Sequence, residues 1–219
     1  MASRGEFREA LESLRVDVDA LGLMAQEAVV GSLGALVGDD VSAAARVVSG
    51  DDRIDDLFVA LEERAYALVA QQAPVAADLR FLMSALRVMA DYEKTGDRAV
   101  AVAKSAMEDW EREHVTLSLL ARMGDLSLTL LGRARRAWLD QDLDLASDLK
   151  RRDDVLDSCY RRLVAHLLEQ QGPGAPSLVL HAHAAGRNIE RIADHAVIVG
   201  ERVSYTLTGD PSTLVAEIR

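Results

Sequence analysis

The sequence predicts an all-α fold of two tandem three-helix bundles, six long antiparallel helices in an elongated molecule. Three observations point there. Apolar residues recur at three- and four-residue steps through six stretches, the mark of helices with one buried face. Only four prolines, Pro74, Pro173, Pro176 and Pro211, occur in 219 residues, and almost a hundred residues separate the first two. A displacement of 102 positions lays Gly22 on Gly124, Asp40 on Asp142, Ala44 on Ala146, Asp55 on Asp157 and Asp51-Asp52 on Asp153-Asp154, so the halves repeat one plan. No β-type alternation runs over five or more residues. Aromatics are only 4%, while Ala, Leu and Val dominate, a composition suited to closely packed helices.

The first helix is expected over about 5–37, with Leu11, Leu14, Val18, Leu21, Met24, Ala28 and Leu36 at helical spacing. Gly38-Asp39-Asp40 supplies its stop and the next cap. A second helix runs over about 41–72, through Val47, Ile54, Leu57, Leu61 and Leu68. The break at Ala73-Pro74 is short, and Pro74 suits the first turn of a third helix over about 75–108. The fourth covers about 114–139, and Asp140-Gln141-Asp142 caps a fifth over about 142–171. Gly172-Pro173-Gly174-Ala175-Pro176 is the strongest breaker in the chain. The sixth, over about 177–208, ends at Gly209-Asp210-Pro211, and 210–219 reads as a frayed tail. Helices of about 30 residues are about 45 Å long. The units are 1–109 and 110–219.

Charge narrows the function. The net charge is −11 and the pI near 4.9, with no stripe of clustered Lys and Arg, so counterion release from nucleic acid has no footprint here. An acidic surface favours cations or a basic protein partner. The single cysteine, Cys159, excludes an intrachain disulfide and reads as a small packed helix residue. The amino terminus lacks the apolar core of a secretory signal, and no uninterrupted apolar run reaches the roughly 20 residues that span a bilayer. The expectation is a cytoplasmic protein. Serines are scattered, Cys159 has no histidine partner in view, and there is no G-x-x-x-x-G-K phosphate loop, so no enzyme is expected.

The candidate site is a pair of acids that occurs twice. Glu93 and Asp97 lie in Asp91-Tyr92-Glu93-Lys94-Thr95-Gly96-Asp97-Arg98-Ala99, and Glu190 and Asp194 in Asn188-Ile189-Glu190-Arg191-Ile192-Ala193-Asp194-His195-Ala196, 97 positions later. Four-residue spacing puts both carboxylates on one helix face, roughly 5–6 Å apart at Cβ. Their repulsion calls for a counter-charge, either a divalent cation or a nearby base. On a helical wheel, Arg80, Ser84, Arg87, Asp91, Thr95 and Arg98 form a polar sector. Glu93 and Asp97 project from an apolar one containing Leu79, Leu82, Met83, Leu86, Met89 and Val100. Two acids on an apolar strip are costly without partners, which favours a cation there. Arg187, three residues before Glu190, offers that acid an ordinary ion pair. Carboxylate oxygens are hard ligands and suit Mg²⁺, Mn²⁺, Ca²⁺ or iron.

Other motifs carry less. His181 and His183 point about 160° apart on a helix and read as solvated. Glu111-x-x-His114 has di-iron spacing but occurs once, in a connection. Asp51, Asp52 and Asp55, with Asp153, Asp154 and Asp157, read first as solvated faces, with ligand or docking roles second. Trp110 and Trp138 read as packing residues near helix ends.

Residues 188–196, followed by Val197-Ile198-Val199-Gly200-Glu201-Arg202-Val203 and Thr208-Gly209, strongly resemble the end of PhoU proteins. The first half agrees through Asp51-Asp52-x-Ile54-Asp55-x-Leu57, then Gln71-Gln72-Ala73-Pro74-Val75-Ala76-Ala77-Asp78-Leu79-Arg80, then Glu93-x-x-x-Asp97. The resemblance spans about 7–209. It implies two similar three-helix bundles with an E/D-x-x-x-D motif in each; some relatives carry metal clusters there and others are metal-free. By match, Glu93, Asp97, Glu190 and Asp194 are the candidate ligands, for iron, manganese, magnesium or zinc. The resemblance further implies a cytoplasmic regulator of phosphate uptake and of the phosphate-starvation response. It would act as a non-catalytic adaptor between the ATPase subunit of a phosphate ABC transporter and a sensor histidine kinase. A homodimer, and membrane contact only through those partners, follow from the same likeness. The alternative reading is a carboxylate-bridged metalloenzyme or metal store. The chain departs from the pattern at Tyr92, Lys94, Thr95 and Arg98, where Lys94 and Arg98 bring positive charge beside the first motif, and at Ala73 between the glutamine pair and Pro74.

Overall fold

A computed structural model describes residues 4–72, 74 and 76–215; the Ala73 departure and Val75 lie outside the described residues. Seven α-helices follow one another: α1 (Arg4–Gly38), α2 (Val41–Gly50), α3 (Asp52–Gln72), α4 (Ala77–Met107), α5 (His114–Asp140), α6 (Leu143–Leu168) and α7 (Ala175–Thr208). A single 3₁₀ turn, Pro211–Thr213, comes after them. There is no strand among the described residues.

The repeat is visible in how the helices stop and start. Asp39 and Gln141, 102 positions apart, both take left-handed backbone, φ 53° and 52°, and close α1 and α5. Each is followed by an aspartate cap: Asp40 accepts from the Ala43 amide and Asp142 from the Leu145 amide, both at 2.9 Å. A carboxylate there satisfies an amide that the first turn leaves without a partner. The halves differ in the helix that follows. The sequence predicts one helix over 41–72, and the structure interrupts it at Asp51, where the Ile54 amide bonds the Asp51 carbonyl at 2.7 Å, one residue short of α-helical spacing. Asp51 keeps helical dihedrals, so α2 and α3 form one dislocated rod. In the second half α6 is continuous.

α1 packs on α4, α4 on α7, α7 on α5 and α5 on α1, which makes a central ring of four helices. The α2–α3 rod lies over α1 and α4, and α6 lies over α5 and α7. One continuous apolar core runs through both halves. The link between them is anchored by Trp110, buried, whose Nε1 donates to the Ser105 carbonyl and whose ring lies 4.2 Å from the Arg112 guanidinium. Trp138 likewise is buried and donates to the Arg15 carbonyl, so both tryptophans are packing residues.

Three expectations need correction. Pro74 precedes α4, which begins at Ala77 behind Ala76 at φ 49°. The predicted polar sector of α4 has a buried centre: Ser84, Asp91 and Thr95 are fully enclosed between half-buried arginines at 80, 87 and 98, while Leu79 and Met83 of the apolar sector are 38% and 52% exposed. The wheel could not anticipate that α7 covers this sector. Residues 210–215 are held rather than frayed, with Asp210 capping the 3₁₀ turn through the Ser212 amide at 2.9 Å; residues 216–219 lie outside the described residues. α1 and α5 are long and apolar enough by composition to cross a membrane, and their most apolar windows are 44% and 39% buried within the bundle.

Candidate functional site

Each E-x-x-x-D pair meets a second acidic pair from the neighbouring helix. On the first face, Glu93 and Asp97 of α4 look toward Asp51 at the dislocation and Asp55 one turn into α3. The approach is close because position 96 is glycine: a Cβ there would stand 3.0 Å from Ile54 Cδ1 and 3.5 Å from Asp51 Oδ1. Burial, then the charges of Asp97 and Asp55, raise the pKa of Glu93, with Lys94 acting in the opposite sense. Burial and the charges of Asp55 and Asp97 raise that of Asp51, and burial and Asp97 raise that of Asp55. Among the described residues none of these four acids has an ion-pair partner. The face is a set of carboxylates that repel one another.

On the second face, Glu190 and Asp194 of α7 look toward Asp153 and Asp157 of α6, across a groove of about 550 Å³ that Ser147, Val197, Thr213 and Val215 also line. Here the bases are built in. Arg187 Nη1 donates to both Glu190 oxygens at 2.6 Å, the pair expected from the three-residue spacing. Arg191 reaches Asp194 at 3.4 Å, and Lys150 Nζ donates to Asp153 Oδ2 at 3.0 Å. Asp153 is 2% exposed, and its Oδ1 is buried without a hydrogen bond. Burial raises the pKa of Asp153, Glu190 and Asp194; the adjacent bases oppose it in each case.

The two faces therefore suit a cation differently. The first has the all-oxygen, uncompensated donor set that hard ions take. In the second, three of the four acids, Glu190, Asp194 and Asp153, are each paired with a guanidinium or ammonium group. As placed, no three His, Cys, Asp or Glu side chains among the described residues converge closely enough to hold a metal. Ion binding at the first face would need its side chains to turn inward.

The sequence suggests solvated acids at Asp51, Asp55, Asp153 and Asp157, and the structure instead brings them against the motifs. The signal was present: they correspond under the 102-residue displacement and share the four-residue spacing of the motifs they meet. The remaining candidates are set apart. His181 stacks on Trp110 at 6.4 Å and His183 meets the Tyr160 hydroxyl at 3.0 Å, so the two face different partners. His114 is exposed, and Cys159 is buried. Arg98 carries a buried Nε.

Between the halves, α4 and α7 share a buried polar contact. His195 Nδ1 lies 3.0 Å from Asp91 Oδ1, and Arg87 Nε 3.3 Å from Asp91 Oδ2. The position equivalent to Asp91 is Asn188, whose amide instead donates to the Ala184 carbonyl of its own helix at 2.9 Å.

An all-α, internally duplicated chain with an acidic face on each half defines a class of tandem helical-bundle proteins. Comparison with known proteins makes this specific. The sequence model of the PhoU domain matches twice, at residues 18–106 and 120–203. Over 209 residues the chain is 31% identical to the Mycobacterium tuberculosis "phosphate-specific transport system accessory protein PhoU homolog 1", covering 94% of this chain and 95% of that protein. The Escherichia coli accessory protein PhoU is 29% identical over 208 residues, 94% and 86% of the two chains. The crystal structure of PhoU from Pseudomonas aeruginosa superposes with a TM-score of 0.86 at 29% identity, covering 93% of this chain and all of that one. The chain belongs to the PhoU family.

Proposed function

We propose that this protein restrains phosphate uptake and the phosphate-starvation response as a non-catalytic cytoplasmic adaptor between a phosphate transporter's ATPase subunit and a sensor histidine kinase. The observation that carries the reading is the twofold family match along nearly the whole chain, with relatives described as accessory proteins of the phosphate-specific transport system. The two units, 1–109 and 110–219, offer related but unequal acidic surfaces, which suits a protein that meets two partners. The test is a deletion strain grown at high phosphate. Derepressed alkaline phosphatase, reversed by the wild-type gene, is expected, together with co-purification of the transporter ATPase. Unchanged expression in the deletion strain would defeat the proposal.

Within this reading the first face is the cation site. Asp51, Asp55, Glu93 and Asp97 would hold a hard ion, whose charge would neutralise the surface offered to a partner. Glu190 and Asp194 fit such an ion poorly while Arg187, Arg191 and Lys150 occupy the second face.

A further inference from the structure

A groove of about 570 Å³ runs between α5 and α6, near the start of α5. Its sides carry His114, Ser118 and Arg122 from α5 and Ser158 and Arg162 from α6, and among the described residues no acid lines it. In a chain of net charge −11 that is a local reversal of sign. Arg122 and Arg162 are exposed, and neither has an ion-pair or hydrogen-bond partner for its side chain among the described residues. Other arginines of this half are engaged: Arg133, Arg151 and Arg152 with Asp148, Arg187 with Glu190, and Arg191 with Asp194. A further guanidinium stands at the rim, where Arg161 Nη2 donates to Ser158 Oγ at 2.9 Å. Between the polar sides lie Val115 and Val155, 46% and 48% exposed.

The duplication shows that this charge is no by-product of the fold. Under the 102-residue displacement His114, Arg122, Ser158 and Arg162 correspond to Glu12, Ala20, Asp56 and Ala60. Leu119, also on the groove, corresponds to Asp17, and only Val155 has a base, Arg53, as its counterpart. The same place in the first half is therefore acidic.

We propose that the α5–α6 groove is a docking site for an acidic amphipathic helix of a partner protein. The helix lies along the groove, its apolar face on Val115 and Val155 and its carboxylates against Arg122 and Arg162. From His114 to Arg122 the rail rises about 12 Å, room for about two turns. Guanidinium groups without internal partners keep their donors for such carboxylates. The proposal deepens the adaptor reading and rests on it for the existence of a protein partner. Acidic faces and a basic groove on one chain address partners of opposite charge, and like charge turns each away from the wrong surface. Nucleic acid and anionic membrane fit less well, because a long polyanion overruns the groove and meets the acidic surface around it.

The probe is a fluorescent, hydrocarbon-stapled helical peptide bearing a Leu stripe edged by Glu. Anisotropy with the full chain should show saturable binding that weakens as salt rises, and none by the same peptide with Lys in place of Glu. Arg122→Ala/Arg162→Ala should weaken binding roughly tenfold with an unchanged circular dichroism melt, since both side chains are exposed. Arg46→Ala/Arg136→Ala removes the same charge from exposed positions elsewhere and should leave binding unaltered. Absence of saturable binding by the Glu peptide overturns the proposal, as does equal binding of the Lys peptide or equal loss in both arginine pairs. Phosphatidylserine vesicles captured through Arg122 and Arg162 in place of the Glu peptide overturn it in favour of a membrane. Complementation separates this claim from the adaptor reading. If deletion derepresses alkaline phosphatase and Arg122→Glu/Arg162→Glu restores repression as fully as wild type, the groove alone is refuted. If deletion has no effect, the adaptor reading falls and the peptide titration decides the groove.

Discussion

The two acidic faces occupy equivalent places and present the same carboxylates, Asp51, Asp55, Glu93 and Asp97 against Asp153, Asp157, Glu190 and Asp194. Their neighbours differ. Where the second half has Arg187 and Lys150, the first has Ala90 and Val48 under the same displacements. The third base, Arg191, corresponds to Lys94, which forms no ion pair among the described residues, so the second face is largely compensated from within and the first is not. A carboxylate cluster consequently acquires its meaning from the bases within ion-pair distance, and identical motifs can carry different chemistry.

Four measurements would break or sharpen this contrast. The largest effect is expected where the halves meet. Asp91→Ala leaves His195 and Arg87 without their buried carboxylate and should cost about 3 kcal/mol. Asn188→Ala, at the equivalent position, removes a bond within one helix and should cost about 1 kcal/mol. Urea unfolding compares them; equal losses would show that the contact is symmetric in energy.

Next comes the cation itself. At neutral pH, Mn²⁺ or Mg²⁺ at about a hundred times its dissociation constant should add about 2.7 kcal/mol. Glu93→Gln/Asp97→Asn should abolish the gain, and Glu190→Gln/Asp194→Asn should retain it, as read by thermal melts with and without chelator. Because burial and mutual repulsion raise the carboxyl pKa values on the first face, charge there opposes folding above those values. Acidification through them should relieve that cost and erase the response to metal.

Arg187→Ala should cost only about 1 kcal/mol, since the arginine is 42% exposed and screened by solvent. Its sharper result is a gain: the second face should begin to respond to added cation. A test of opposite sign concerns Glu113, the cap of α5. Partial burial would raise its pKa, but bonds from the Val115 and Thr116 amides and from His166 outweigh that and hold it at about 2. A depressed carboxyl stabilises the fold above its unfolded value near 4.5, and that contribution fades as pH falls toward 2. Glu113→Gln should flatten the acid limb of a stability profile, opposite in sign to the response of the acidic faces.

The sequence alone determined the helices, the duplication and the motif pairs, because periodicity, caps and four-residue spacings are local properties of the chain. It also contained the matched aspartates at 51, 55, 153 and 157, although nothing local indicated that they would meet the motifs. Only the tertiary structure decided that α7 buries the polar side of α4, that Gly96 admits the dislocated turn at Asp51, and which acids acquire bases. Those outcomes depend on which helix covers which face, a matter of contacts between residues about 40 to 100 positions apart. A single helix wheel contains no information about them.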